Sequence, residues 1–344
     1  MKVLVTGGAG FIGQHVVREF LARGHEVRVM DSLRPDVHAG RSWQQPTDVE
    51  FVDADVRDAG ALDRALAGTD AVAHLAAKVG LGVDVQDLPD YAASNDVGTA
   101  ELLAAMARTN VKRLTLASSM VVYGEGLGKC AEHGAMIPGP RNEAALANGQ
   151  FEPPCPRCAK PLETALVSEE TPFDPRNAYA SSKVAQEFYA SNWARVTGGS
   201  VAAMRYHNVY GPGMPRDTPY AGVAAIFTSA LRRGVAPKVF EDGGQRRDFV
   251  HVRDVAAATV QACERHTSGV RAFNVGSGTP RTVGDMASAL ARVMNGPIPV
   301  VTGQYRLGDV RHITADSSRL KRELDWAPRI DFEQGLAELS ASQG

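Results

Sequence analysis

Three groups of residues have the types and spacing to do chemistry. Tyr179 and Lys183 stand four apart in Tyr-Ala-Ser-Ser-Lys, which sets a phenol and an ammonium on one face of a helix. A phenol titrates near pH 10 and is a poor base at neutral pH. A neighbouring lysine and a cationic nicotinamide ring would both favour phenolate. Ser119 closes the apolar run Leu114–Ser118 and can hydrogen-bond the same substrate oxygen. Together the three can take a hydroxyl proton while nicotinamide C4 takes hydride from the attached carbon. Alone, Tyr-x-x-x-Lys reads as a packed tyrosine beside an exposed lysine; it needs a dinucleotide site to mean more. The second group supplies one. Lys2–Thr6 is an apolar run, followed by Gly7-Gly8-Ala9-Gly10-Phe11-Ile12-Gly13, a helical stretch Gln14–Arg23, and a second apolar run Val27–Met30 ending on Asp31. Strand, glycine turn, helix, strand, acid is the order that seats a pyrophosphate on a helix start and a ribose diol on a carboxylate. Asp31 would repel a 2′-phosphate, so the cofactor is expected to be NAD, although Arg34 stands near. The third group is Cys130-Ala-Glu-His133 with Cys155-Pro-Arg-Cys158. The spacing suits a tetrahedral Cys₃His zinc site. A redox Cys-Pro-x-Cys dithiol and incidental thiols beside a solvated His133 are the rivals; a redox dithiol usually opens a helix in its own βαβ fold, which this stretch lacks.

The elements that must position these groups alternate. Val49–Val52, Ala71–Leu75, Leu114–Ser118, Val201–Tyr206 and Ala272–Val275 read as further strands. Ala61–Leu66, Val97–Thr109, the Tyr179 helix, Val223–Arg233, Val252–Glu264, Val283–Met294 and Phe332–Leu339 read as helices. Strands alternating with helices predict an α/β fold, a Rossmann-type doubly wound parallel sheet with a smaller C-terminal α/β substrate-binding part. Ligands on such sheets bind at the carboxyl ends of the strands. That rule selects Asp55, Ala76, Ala77, Ser118 and Ser119, with Asp55 either meeting an adenine amino group or serving as a turn acid. The expected division is 1–185 as the dinucleotide-binding domain and 186–344 as mainly the substrate domain, with segments around 201–210 and 248–265 returning to the first. Residues 125–171 break the alternation. They are rich in Gly, Pro and Cys and show little periodicity, so they are expected to be functional or tied down.

The 344 residues are 44% hydrophobic and 22% charged, with a net charge of −2. That balance suits a globular enzyme and gives no reason to expect nucleic acid or an anionic membrane as partner. No apolar run is long enough to span a bilayer, and the N-terminus enters the first strand directly, so a cytoplasmic protein without a signal peptide is expected. Four cysteines in such a chain argue for metal or chemistry before disulfides; Cys263 reads as a core thiol.

The ordered motifs TGGAGFIG at 6–13, Asp31, Asp55-Val56, His74-Leu75-Ala76-Ala77, Asn95 with Gly98-Thr99, SSMVVYG at 118–124, YASSK at 179–183, RYHNVYGP at 205–212, RRDFVHVRDV at 246–255, FNVGSG at 273–278 and RLGDVRH at 306–312 span nearly the whole chain. On them the chain resembles the extended short-chain dehydrogenases/reductases, in the NAD-dependent nucleotide-sugar epimerase/dehydratase group. The resemblance implies a catalytic trio of Ser119, Tyr179 and Lys183. It implies NAD contacts from Gly7, Gly10, Phe11, Ile12, Gly13, Asp31 and Ser32, then Asp55 and Val56, then Leu75, Ala76 and Ala77. It adds Asn95, Ser118, Tyr206 and the Tyr179–Lys183 pair to that set. It implies substrate contacts from Lys78, Ser119, Tyr179 and Asn208, phosphate clamping by Arg247 and Arg306, and a nucleotide ribose at Asp309. Arginine forks suit diphosphate oxygens. Tyr220, Lys238 and Phe240 are candidates to shape the sugar pocket.

Two departures bear on the reaction. In the dehydratases of this group an acid follows shortly after the catalytic Ser or Thr; here Met120-Val121-Val122-Tyr123 follow Ser119. That argues for 4-epimerisation of a nucleotide-diphosphate sugar with tightly held NAD. A 4,6-dehydratase or a 4-ketoreductase is the alternative within the group, and a dinucleotide-binding redox sensor is the alternative outside enzymes. His207 stands where many relatives carry Phe and reads as packing. The helices Val97–Thr109 and Tyr179–Arg195 carry apolar stripes beyond what one sheet needs, and the resemblance implies a homodimer through them. The insertion leaves the sheet after Ser119 and returns before Tyr179, so it is expected to cover the substrate's sugar.

Overall fold

The computed structural model describes residues 1–38, 43–80, 85–215, 222–265 and 269–342. Seven parallel strands form the central sheet: β1 (Lys2–Thr6), β2 (Glu26–Asp31), β3 (Val49–Asp53), β4 (Ala71–His74), β5 (Arg113–Ser119), β6 (Ser200–Tyr206) and β7 (Val270–Val275), in the order β7-β6-β5-β4-β1-β2-β3. The order reverses between β1 and β4, which opens the crevice where such sheets bind ligands. The strands are short apolar runs because both faces are covered. On β1, Leu4 faces one core with Leu102, Met106 and Leu116, while Val3 and Val5 face the other with Val16, Phe20 and Val260.

The turn after β1 depends on glycine. Gly7 has φ +70°, and a Cβ there would lie 2.6 Å from the Ala76 nitrogen; at Gly13 a Cβ would lie 2.1 Å from the Gly7 carbonyl oxygen. The helix Phe11–Ala22 starts at Gly10, which offers no side-chain cap, so the first-turn N–H groups are left for a ligand. The helix Ala178–Thr197 is capped by Asn177, whose Oδ1 accepts the Ala180 N–H at 2.8 Å, and ends at the left-handed Gly198.

Within one of the expected return segments the helix Val252–Glu264 packs on Phe11–Ala22, and beyond them Val270–Val275 also joins the sheet as its edge strand. The other C-terminal elements gather round a separate cluster of Tyr210, Phe227, Phe249, Met286, Leu290 and Leu336. There Arg246–Arg247 pairs with Arg281–Thr282 and with His312–Ile313.

Residues 125–171 are structured. Leu127–Cys130 lies between Gly134–Met136 and Glu163–Ala165 in an antiparallel sheet, and Glu143–Ala147 is a short helix. The sequence showed no period because the strands are three or four residues long.

Candidate active site and metal centre

A cleft at the carboxyl ends of β1 to β4 is lined by Gly7, Gly10, Asp31, Ser32, Asp55, Val56, Leu75, Ala76, Ala77 and Lys78, together with Met30, Arg34, His38, Ala54 and Ser94. Asp31 accepts the Ala9 N–H and the Leu33 N–H, each at 3.0 Å, so it both braces the glycine turn and faces the cleft. Arg34 donates to Asp90 at 3.1 Å and to Ser94 at 3.0 Å. Asp55 receives the side chain and N–H of Arg57 at 2.8–2.9 Å, and this hydrogen bonding holds its carboxyl below the usual range. Phe11 packs against the C-terminal cluster and Ile12 against the sheet, so these two offer their backbone rather than their side chains.

Three residues of the expected cofactor set are turned elsewhere. Asn95 is fully buried; its Oδ1 accepts the Lys78 N–H at 2.7 Å and its Nδ2 donates to the Lys78 carbonyl and Ser182 Oγ. It fixes the backbone after Ala77. Ser118 donates to Glu187 at 2.5 Å, on the opposite face of β5 from Ser119. The Tyr206 hydroxyl pairs with Thr259 Oγ1 at 2.6 Å. Lys78, expected on the substrate side, lines the cofactor cleft and donates to Asp90 at 2.5 Å.

Ser119, Tyr179 and Lys183 are brought together. Ser119, 9% exposed at the end of β5, stands near enough to the Tyr179 phenol to favour its ionised form, and its Oγ accepts the Val121 N–H at 3.4 Å. Lys183 Nζ lies 5.8 Å from the Tyr179 ring centre and donates to the Ala117 carbonyl at 2.8 Å. The expected lowering of the phenol by the lysine is not found in the chain itself. Burial pushes Tyr179 up to about 12, opposed by Ser119, and pushes Lys183 down to about 7, opposed by Glu187 and Asp96.

On the substrate side, Asn208 Oδ1 is buried without a hydrogen-bond partner. Arg247 donates to the carbonyls of Arg246, Val310 and Arg311, and burial pulls it down to about 10. Arg306 lies 5.1 Å over the Phe240 ring. Burial raises the Asp309 carboxyl, opposed by the charges of Arg306, Arg247 and Arg141, so the three expected nucleotide residues do share one neighbourhood. Lys238 is exposed on a short edge strand, and Tyr220 lies outside the described residues.

In the insertion, Cys130 Sγ lies 3.4 Å from His133 Nδ1 and 3.6 Å from Cys158 Sγ, and Cys155 Sγ lies 3.6 Å from His133 Nδ1. All four donor atoms fall within 4.8 Å of one another. Backbone N–H groups of Glu132 and His133 point at Cys130, those of Arg157 and Cys158 at Cys155, and that of Lys160 at Cys158. Such donors favour thiolate, and the first of them hold Cys130 down to about 6. All four cysteines are free thiols; the fourth, Cys263, is buried in the core, which pushes it up to about 11.

The pattern of the NAD dependent epimerase/dehydratase family matches residues 3–276. The chain belongs to that family. It is 36% identical to the dTDP-L-rhamnose 4-epimerase of Burkholderia thailandensis over 346 residues, covering 98% of this chain and 93% of that protein. Among solved structures it is similar to the UDP-glucose 4-epimerase of Thermus thermophilus in complex with NAD, with 30% identity, a TM-score of 0.78 and coverage of 99% and 98%. It is also similar to the UDP-glucose 4-epimerase of Thermotoga maritima with UDP-glucose, with 28% identity, a TM-score of 0.80 and coverage of 99% and 97%. An NAD-binding fold of this family accounts for the cleft. One of its organisers escaped sequence reasoning. Asp90, on the single turn Leu88–Tyr91, gathers Arg34, Lys78 and Ser94 Oγ, and the two cations hold its carboxyl far below the usual range. Its only sequence signal is Pro89 at the start of that turn.

Proposed function

We propose that the chain is an NAD-dependent nucleotide-sugar 4-epimerase, with a dTDP-sugar as the favoured substrate class. One observation carries the choice of reaction. Met120-Val121-Val122-Tyr123 follow Ser119, so the turn after the β5 strand carries no carboxylate to protonate a leaving hydroxyl. Water loss therefore lacks its acid, whereas epimerisation needs none. Tyr179 takes the proton of the sugar's 4-hydroxyl and later returns it, and Ser119 fixes the same oxygen. Lys183, in its apolar surroundings, is poised to carry charge when the phenol ionises. The chemistry NAD supplies at this place is reversible hydride uptake from C4. Arg247, Arg306 and Asp309 hold the nucleotide end while the keto-sugar turns its other face. The dTDP preference rests on the name of the 36% identical relative.

The Cys₃His set fits zinc. Tetrahedral bonds of about 2.3 Å to sulfur and 2.0 Å to nitrogen put sulfur pairs about 3.8 Å apart and sulfur–nitrogen pairs about 3.5 Å apart, beside the 3.4–3.6 Å found. Four protein ligands leave no open position, so the ion would be structural. Phe188, Tyr189 and Val196 on the Tyr179 helix are 60%, 44% and 76% exposed, which supports a homodimer across that helix. The boundary near 185 and a cytoplasmic place are part of the same reading. Among the described residues no helix is long and apolar enough to cross a membrane.

The test is mass spectrometry and NMR of the purified protein with dTDP-, UDP- and GDP-sugars. A C4 epimer of unchanged mass, with no net consumption of reduced cofactor, is expected. A product lighter by one water would assign a dehydratase, and stoichiometric NADH use a ketoreductase. No turnover with any sugar would favour the sensor.

A further inference from the structure

We infer that Arg141, carried by the insertion, is a positioning residue for the nucleotide end of the substrate site. The inference rests on the nucleotide-sugar reading. The Arg141 side chain is 5% exposed. Its Nε and Nη2 both donate to the carbonyl oxygen of Asp309, Nε at 3.1 Å, and its Nη1 donates to Glu241 Oε1 at 2.6 Å. Arg247 donates to the next two carbonyls, Val310 at 2.7 Å and Arg311 at 2.9 Å. Three successive carbonyls are therefore held by two guanidiniums, one from the insertion and one from the C-terminal part. The turn they fix runs from Arg306, whose carbonyl accepts the Asp309 N–H at 3.3 Å, and so includes both Arg306 and Asp309.

A second set of links makes the same join. The buried Arg311 side chain reaches Glu152 of the insertion at 2.5 Å, Glu241 at 2.7 Å and Asp242 at 2.7 Å, and its N–H donates to Glu125 at 2.9 Å. His312 Nε2 pairs with Glu152 at 2.7 Å. The first part of the insertion thus reaches Glu241 and 309–314 on the nucleotide side, while its last residues, Val167 and Glu169, also contact Arg205, Asn274 and Arg319. Glu152 and Arg311 hold the insertion on; Arg141 is the group that reaches the Asp309 turn itself. Loss of Arg141 frees the Asp309 carbonyl and leaves Glu241 with Arg311 alone, while Ser119, Tyr179 and Lys183 keep all their contacts.

The experiment compares wild type with Arg141→Ala and Arg141→Lys, all with zinc and NAD content measured. Binding of dTDP, UDP and GDP is followed by calorimetry and turnover by steady-state kinetics. For Arg141→Ala the expected outcome is a nucleoside diphosphate Kd and a sugar-nucleotide KM raised about tenfold, the size of a lost charged hydrogen-bond pair, with kcat within about twofold. Arg141→Lys keeps one ion pair and cannot fork the carbonyl, so it should fall between. A purely structural role would lower melting temperature and active fraction and leave Kd and KM unchanged; that result overturns the inference. If Arg141→Ala does not fold, a wild-type Kd in Arg141→Lys overturns it. Failure of the wild type to bind any of the three diphosphates would instead sink the nucleotide-sugar reading, and this inference with it.

Discussion

The dinucleotide cleft and the insertion are built by opposite means. The cleft is shaped by main chain: a glycine turn, a helix start and the ends of four strands, all backed by two apolar cores. The insertion has a core of little more than Cys130, Cys155 and Leu162, with Met136 and Cys158 against it. Its Cys₃His side chains cluster at one end, and ion pairs to Glu241 and Arg311 tie it down at the other. A frame made by burial tolerates the loss of one side chain; a frame made by ligands does not. On the proposed reading, the chemistry sits on the first frame and the grip on the nucleotide leans on the second.

The sharpest use of that contrast is Tyr179→Phe. One oxygen is lost from a rigid frame, so NAD binding should stay within about twofold while turnover falls by about 10²–10⁴. Turnover within about threefold of wild type would remove Tyr179 from its role. The converse change is Cys155→Ser with Cys158→Ser. Zinc should leave, 125–171 should become sensitive to protease, and sugar-nucleotide KM should rise about tenfold or more, with NAD content kept. Less than about half an equivalent of zinc in untagged, chelator-free wild type would end the four-ligand reading. Loss of NAD together with zinc would show that the two frames are one.

A smaller effect is expected at Asp31. Replacement by Ala removes the repulsion of a 2′-phosphate, but Arg34 stays committed to Asp90, and the Ala9 N–H loses its acceptor. The preference for NAD over NADP should therefore shrink by about tenfold, mostly through weaker NAD. Titration of both cofactors checks this, and tighter NADP binding by the wild type would reverse the assignment.

The same contrast explains what could be read from sequence. All seven strands of the sheet were legible within a residue or two, because each is an apolar run between turns. So were the cleft glycines, Asp31 and the Cys₃His set, whose chemistry fixes their spacing. Which way a strand-end residue points was not. Ser118 and Ser119 differ by one position and face opposite ways, and the Tyr206 ring turns to Thr259. Arg141 and Glu152 were invisible because each acts on partners far along the chain, 168 residues in the case of Arg141 and Asp309, and Asp90 because its role depends on Arg34, 56 residues away, meeting it at the cleft.

The least of the expected effects lies inside the sheet, at the join of β1 and β4 where the cleft opens. His74 is 1% exposed; its Nδ1 pairs with Thr6 Oγ1 at 2.7 Å and its Nε2 with Thr99 Oγ1 at 3.0 Å. Burial, and after it the charge of Lys183, pulls this histidine from 6.5 down to about 3. Between those two values the unfolded chain takes up a proton that the native chain refuses. Stability conferred by neutral His74 is therefore complete above pH 6.5 and is lost as pH falls toward 3, by at most about 1.4 kcal/mol per pH unit. His74→Gln keeps a polar group between the two threonines but does not titrate. The variant should be the less stable at pH 7, and its deficit in urea unfolding should shrink by about 2 kcal/mol by pH 5, since the wild type alone pays the proton. The carboxylates and the insertion's ligands titrate in both proteins and cancel in the difference. A deficit that stays constant from pH 7 to pH 5 would mean that His74 takes its proton in the native sheet, and that the core at the β1–β4 join admits charge.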